Sequence, residues 1–597
     1  MSTLSGLMRL AGLAATVAAV GIACSPHAPS APVRDTNVMA DRLDAFVGGW
    51  MKSRHVTGAA VAVMDGSAAV YEHGFGYAVK SREVPVDADT AFLLASVTKL
   101  FTAVAVMQLV ETGRIRLDDP VADYLPEFRP PSRFPPGRPM TVRDLLTHHG
   151  GIPSDYLKDM RFGETPPPDF ANRFMEIPAL LAREAVDAPP GSYYQYANTG
   201  FCLLGAIVAR TSGTDYVSYV EQNILRPLGM NHSGFTDSAE LRPFISRGYI
   251  NGKERAMVYD RGIPEGGLMS SIHDLEGFTG MLLGGGARDG VRILKPASLE
   301  EMLRPQGDAL PLDFGSRMGL AFHLGTTAAG VPFAFHDGGM LPFSSTLVIL
   351  PEHGLGVIVL ANSEEVPVGP VAEQAVQWAL EARSGGVPDA GMPRTPIGAT
   401  PTPDLGPYAG SYASELGLCD VCMVRGIPRL DMPGGSFTLV PAADGSHQMR
   451  VRLFGLIPVG KPGVGGISLR FATIQGERVI GIFQDGRFVG IAAELRTHPV
   501  PPAWKTRVAR YEIVNQDAVP FLEEFAIEYD SRRDLLFCVV STASGSRPLR
   551  LPLDPISDTL VVTAGKGRHL GDSIQAQTSG GEEYLAYSGF RLKAIRK

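Results

Sequence analysis

The sequence predicts an α/β (α+β) sandwich, an antiparallel sheet with flanking helices plus an all-α subdomain, followed by C-terminal all-β, barrel-like units. Three observations predict it. Strand-like runs stand at both ends of residues 36–383, with helix-rich sequence between them. A stretch dominated by Gly, Pro, Thr and Ala follows, carrying Pro388, Pro393, Pro396, Pro401, Pro403 and Pro407, and reads as a linker over 384–407. Beyond it the pattern changes to short strands spaced by turn signals, the pattern of barrels and sandwiches.

The elements follow in order. Residues 1–23 read as an export signal, in which Arg9 precedes an apolar run, Leu10 to Ala23, too short to span a membrane comfortably. Cys24 then stands at a sequence resembling a bacterial lipoprotein cleavage site; a plain signal peptide cut nearby is the alternative. Residues 24–35, with Pro26, Pro29 and Pro32, make an extended tether. The expected location is therefore outside the cytoplasm, periplasmic or attached to a membrane through lipidated Cys24. Met39, Leu43, Phe46 and Trp50 recur at helical spacing over 38–51. Runs 59–64 and 68–75 read as strands joined by Asp65-Gly66, a hairpin signal. Runs 331–335, 344–350 and 355–360 read as further strands, and 371–383 as a closing helix. After the linker, 437–440, 449–454, 467–472, 478–483 and 488–495 read as strands, with Asp485-Gly486 as another turn. A break at Pro499 to Pro502 divides this part into units at 408–499 and 503–597; two barrels and one larger barrel both fit the pattern.

Composition narrows the function. At 597 residues, 45% hydrophobic and 19% charged, the chain fits a globular protein of several domains. A net charge of −8 without a long Lys or Arg run argues against a nucleic-acid partner. With 5 cysteines, no disulfide framework is expected. Cys419 and Cys422 form one C-x-x-C, open to a local disulfide or two free thiols. Cys202 and Cys538 have no near partner, so a zinc site is not expected, nor is any other cofactor.

Three short motifs carry chemistry. Ser96-Val97-Thr98-Lys99 opens an apolar stretch, Ser96 to Thr112, that Gly113 stops as a helix C-cap. At i, i+3 the Lys99 amine lies one turn beyond Ser96, and a buried Lys of lowered pKa takes a proton that a free Ser does not lose unaided. Ser96 at a helix N-terminus would also meet backbone N–H groups that favour a developing anion. An N-capping Ser with a solvated Lys fits the same four residues. Tyr196-Ala197-Asn198, before a helical run 201–210, offers a Tyr that exchanges protons beside a Lys and an Asn amide that orients a substrate. A packing role fits Tyr196 equally. His336-Asp337-Gly338-Gly339 ends a strand, where small residues let a backbone N–H approach a ligand; a tight turn with a surface His is the alternative.

Taken in this order, Ser-x-x-Lys, Tyr-x-Asn and His-x-Gly resemble the family of class C β-lactamases, D-alanyl-D-alanine carboxypeptidases, D-aminopeptidases and related esterases. The stretches 91–95, 106–113, Leu117-Asp118-Asp119-Pro120, Leu145-Leu146-Thr147-His148, Gly150-Gly151-Ile152-Pro153 and Gly266-Gly267-Leu268 with Ser270 extend the likeness across nearly all of 40–365. The resemblance implies a penicillin-recognising fold and an acyl-enzyme on Ser96, with Lys99 and Tyr196 shuttling protons and Asn198 orienting the substrate amide. It also implies an oxyanion hole from the Ser96 and Gly339 N–H groups, lined by His336 and Gly338; His148 falls outside the trio and reads as structural. His336 stands where the β-lactamases of this kind carry Lys, and Asp337 adds negative charge, which turns the expectation from carboxylate-bearing substrates toward a D-aminopeptidase-like peptidase, amidase or esterase acting on a small molecule or peptide. A true β-lactamase or carboxypeptidase is the enzymatic alternative, and a slowly acylating sensor the alternative of another class. In some D-aminopeptidase-like relatives, barrels of this kind cover the active site, and the same is expected here.

Overall fold

The computed structural model describes Val33 and residues 36–595, apart from 160, 164–169, 236–237, 239, 260, 308–309, 328–329, 364–365, 385–402, 454–456, 460–465, 485, 516–521 and 543–547. The export signal, Cys24, most of the tether and of the linker, and Asp485 therefore lie outside the described residues.

The expected fold class is the one observed. The first layer is an antiparallel sheet of eight strands. Its centre is Gly58–Asp65, flanked by Ala68–Val79 on one side and by Leu355–Ala361, Phe343–Leu350 and Pro332–Met340 on the other. Gly66, at φ 61, turns the first hairpin, the left-handed backbone that makes Asp-Gly a turn signal. The central strand is buried on both faces, and its period of two sorts its side chains. Ala59, Val61 and Val63 meet the helices Thr36–Arg54 and Gly369–Ser384. Ala60 and Ala62, small enough for close approach, meet the helical subdomain, whose buried helices are Thr98–Glu111, Asn198–Ser212 and Ile272–Leu283.

The C-terminal region forms two barrels rather than one. In the first, the strands run in the order Gly435–Pro441, Ile427–Met432, Gly417–Val424, Gly410–Ser414, Arg487–Glu494, Glu477–Gln484, Ile467–Ile474 and His447–Leu453, and pairing of the last with the first closes the ring. The second is a closed barrel from Ala509–Ile513 to Phe590–Ala594. Each has its own apolar core. Cys419 and Cys422 are free thiols: three residues apart on one strand they face opposite sides, Cys419 buried and Cys422 half-buried. The first barrel packs on the N-terminal region through apolar contact, with Val479, Ile491 and Ala493 against Ala188, Tyr193 and Phe314.

Candidate active site

Ser96 does not begin the helix itself. It sits in a single 3-10 turn, Ala95–Val97, ahead of the helix Thr98–Glu111. Ala95 at φ 47 makes a left-handed elbow there, a conformation a non-glycine residue adopts at a cost of order 1–3 kcal/mol when the surroundings impose it. What imposes it is the sheet. Ser345 Oγ donates to the Leu94 carbonyl at 2.6 Å, and a Cβ on Gly338 would collide with that carbonyl and with Ser345 Oγ. Gly338 is thus the residue that lets the strand Pro332–Met340 lie against the turn. Gly339 has open space where a Cβ would project.

Around Ser96 Oγ the side chains converge. Lys99 Nζ donates to it at 3.0 Å, and Tyr196 OH donates to it at 2.8 Å. Lys99 is buried, and its remaining protons go to the Glu265 backbone carbonyl at 2.8 Å and the Glu265 carboxylate at 3.1 Å. Burial alone would depress this amine, as the sequence reading expects. Its interactions with the Tyr196 oxygen and the Glu265 carboxylate outweigh it and hold Lys99 above its ordinary value, so Lys99 is an ammonium in the resting site. Glu265 was not singled out from the sequence, although it directly precedes the Gly266-Gly267-Leu268 stretch that was.

Tyr196 is seated by His148, whose ring stacks on it at 4.2 Å between centroids and whose Nδ1 accepts the Ala197 N–H at 3.1 Å. Burial, with Lys99 and nearby histidines, keeps His148 well below the ordinary imidazole range, which leaves Nδ1 free to accept. Its structural reading therefore includes positioning Tyr196. Asn198 opens the helix Asn198–Ser212, and its Nδ2 donates to Asp155 at 2.7 Å, leaving Oδ1 buried without a hydrogen-bond partner among the described residues. His336 is also buried. Its Nδ1 lies 2.6 Å from the Asp337 carbonyl, which only accepts, so Nδ1 carries the proton and Nε2 is an acceptor without a partner among the described residues. Burial, with His323 and Lys99 nearby, holds this ring neutral.

Ser96, Asp155, Tyr196, Asn198, Glu265 and His336 line a cavity of about 770 Å³ together with residues of both barrels, Arg487 and Phe488 from the first and Arg568 and His569 from the second. Sequence patterns in the barrels carried no signal for them. Asp337 requires a correction: its carboxylate pairs with Arg487 at 3.3 Å, so it does not present an uncompensated negative charge to the cavity. Paired in this way, Asp337 gives no reason to disfavour anionic substrates. Among the described residues no group of His, Cys, Asp and Glu is arranged to hold a metal ion.

With this geometry, comparison with known proteins is informative. The model of the Beta-lactamase family matches residues 43–380. The chain belongs to this family of penicillin-recognising serine hydrolases. It is 32% identical over 392 residues to "Penicillin-binding protein 4" of Amycolatopsis lactamdurans, a match covering 63% of this chain and 97% of that protein. It is 25% identical over 344 residues to "Protein flp" of Staphylococcus aureus strain MRSA252, covering 56% of this chain, and spans only 65% of that relative's length. Among solved structures, SurE is similar at 25% identity and a TM-score of 0.56, over 77% of this chain and 99% of that one. SurE solved with D-Leu is similar at 26% identity and a TM-score of 0.55, over 77% and 100%. The family match ends near the closing helix, whereas the likeness to SurE extends over a larger share of the chain.

Proposed function

We propose that the chain is a serine hydrolase that cleaves an amide or ester through an acyl-enzyme on Ser96, with D-aminopeptidase-like peptidase chemistry as the leading reading. The observation that carries it is Ser96 Oγ held at 3.0 Å from Lys99 Nζ and 2.8 Å from Tyr196 OH on the wall of the cavity. With one proton of the Lys99–Tyr196 pair first released to solvent, Ser96 Oγ attacks the substrate carbonyl carbon and passes its own proton to the vacated site on that pair. The same pair returns the proton to the leaving amine or alkoxide, and water then releases the acyl group by the reverse route. The N–H groups of Ser96 and Gly339 serve the oxyanion. Asn198 Oδ1 and neutral His336 Nε2 offer acceptors, which suits a substrate carrying N–H groups. A D-configured amino acid on a similar scaffold, D-Leu with SurE, supports the choice among peptidases. The reaction runs outside the cytoplasm if the export signal and Cys24 act as read, and loss of palmitate incorporation in Cys24→Ser tests that reading.

The deciding experiment is intact-mass spectrometry after brief exposure to a fluorescent penicillin, beside p-nitrophenyl ester and D-amino-acid p-nitroanilide turnover. Wild type is expected to gain a covalent adduct or turn over one of these substrates. Ser96→Ala is expected to lose the adduct entirely and turnover by at least about a thousandfold. A folded Ser96→Ala protein that reacts as wild type does overturns the assignment.

A further inference from the structure

The second barrel reaches the catalytic groups through one loop, residues 564–572, between the strands Leu560–Thr563 and Ser573–Ser579. Its glycines explain how it fits. Gly565, Gly567 and Gly571 have φ of 115, 125 and 103, a region that glycine adopts far more readily than other residues. A Cβ on Gly567 would lie 2.9 Å from Glu415 Oε1 of the first barrel, and one on Gly571 would lie 2.6 Å from Asp187 Cβ of the catalytic layer. The loop is therefore wedged between both neighbours. Glu415 accepts the Arg568 backbone N–H at 2.8 Å, Ser154 Oγ accepts that of His569 at 3.3 Å, and Arg133 donates to the Gly571 carbonyl at 3.0 Å.

Wedged there, the Arg568 guanidinium grips one carboxylate oxygen of Asp155 with Nη2 at 2.9 Å and Nε at 3.2 Å. The other oxygen of Asp155 takes the Asn198 amide at 2.7 Å. The same guanidinium carbon lies 5.5 Å from the centre of the Tyr196 ring. The Asp155 side chain is 5% exposed, a buried anion that needs a partner, whereas the Arg568 side chain keeps 39% of its surface open.

We propose that Arg568 of the second barrel is a positioning residue of the active site: through Asp155 it fixes the Asn198 carboxamide, with its oxygen left to the substrate, and it steadies the Tyr196 ring. The inference rests on the acyl-enzyme reading of Ser96. Asp155 is faced by Arg568 and His569 from the loop and Asn198 from the helix, with Asp572 and Tyr587 of the second barrel also acting on it electrostatically or feeling its charge. Burial would raise this carboxyl, but Arg568, His569 and the Asn198 hydrogen bond hold it down at about 2. In wild type it stays ionised throughout the working pH range.

Three variants test this, assayed with the fluorescent penicillin and a p-nitrophenyl ester on the full chain, with thermal melts as a check on folding. Arg568→Ala is expected to lower the acylation rate by about 10–100-fold, the scale on which misplaced supporting groups act. Its rate should also fall at acid pH along a new limb absent from wild type, because Asp155 now titrates within range. Arg568→Lys keeps the charge and should remove the new limb. Asp155→Asn should slow acylation without producing any such limb. A reactive wild type with Arg568→Ala unchanged in rate and pH profile overturns the inference while sparing the Ser96 reading. If Arg568→Ala does not fold, a folded Asp155→Asn with wild-type rates overturns it equally. A folded wild type unreactive to every probe overturns the Ser96 reading and this inference with it.

Discussion

At the residue scale, charge and a missing methyl group decide what Ser96 can do. Lys99 is buried, and the Glu265 carboxylate supplies its counter-charge while the Glu265 backbone carbonyl accepts a second hydrogen bond. Glu265→Gln removes that charge and keeps the shape, so burial should win and the Lys99 pKa should fall. The alkaline limb of Ser96 acylation is expected to move down by about 1–3 pH units, the range over which a close opposite charge shifts a titration. A pH–rate series on wild type and variant measures it, and an unmoved limb would remove Lys99 from the titrating role. The two glycines of the third motif should differ sharply. Gly338→Ala forces a methyl into the Leu94 carbonyl and Ser345, and overpacking of this kind costs about 1–3 kcal/mol. The elbow carrying Ser96 should shift with it, lowering both Tm and acylation rate. Gly339→Ala meets open space and should leave Tm within about 0.5 kcal/mol of wild type in stability terms. Equal melts for the two would contradict the geometry.

At the element scale, the groups around Ser96 are held by close backbone approach. The helix Asn198–Ser212 passes the short helix Ile263–Gly266 at Gly205, where a Cβ would collide with the Pro264 ring. Two effects of Gly205→Ala oppose each other. Helix propensity favours Ala by about 1 kcal/mol. The rigid Pro264 ring cannot swing aside, so an overpacking cost of about 1–3 kcal/mol should prevail. The variant is expected to melt lower and acylate more slowly, because Pro264 precedes the Glu265 that anchors Lys99; a raised Tm would show that the two helices yield. These contacts also mark where sequence patterns stop being informative. The strands 344–350 and 355–360 and the helix 371–383 were legible within about a residue or two, because their burial is periodic and their ends carry Pro or Gly. The strand after Asp65-Gly66 was read as ending at 75 but runs to Val79, since its outer face is largely exposed and carries weak alternation. The helix from 96 to 112 was legible, but the 3-10 turn at its start was not, because it is imposed by strand residues far away in the chain.

At the scale of the whole molecule, the barrels complete a site that the first layer alone leaves open. Their docking surface carries an acidic group that pH can read. Asp187 and Asp572 are both buried across this junction, and each has one carboxyl oxygen without a hydrogen-bond partner among the described residues. The nearby Arg133 donates to backbone carbonyls of Val186, Asp187 and Gly571. Burial, with the negative charges of Asp155 and Glu184, raises Asp572 from 3.8 to about 7, and burial with Asp572 raises Asp187 as well. The sign follows from proton uptake: between pH 4 and 7 the folded junction holds a proton that the unfolded chain has released, so stability falls as pH rises through this window. Thermal melts from pH 4 to 8 should show that fall, and Asp572→Asn should flatten it and melt higher than wild type at pH 8. Identical slopes in the two proteins would refute the assignment.

The sequence by itself determined the fold class and the residues that meet at the site, Ser96, Lys99, Tyr196, Asn198, His336, Gly338 and Gly339, because local motifs and periodic burial are written in neighbouring residues. Only the tertiary structure decided their states and their company. It kept Lys99 charged through Glu265, neutralised Asp337 with Arg487, and turned the Asn198 amide toward Asp155 and Arg568. Each of these is an electrostatic pairing between groups dozens to hundreds of residues apart in the chain, and such a pairing depends on distance and burial, neither of which a linear pattern records.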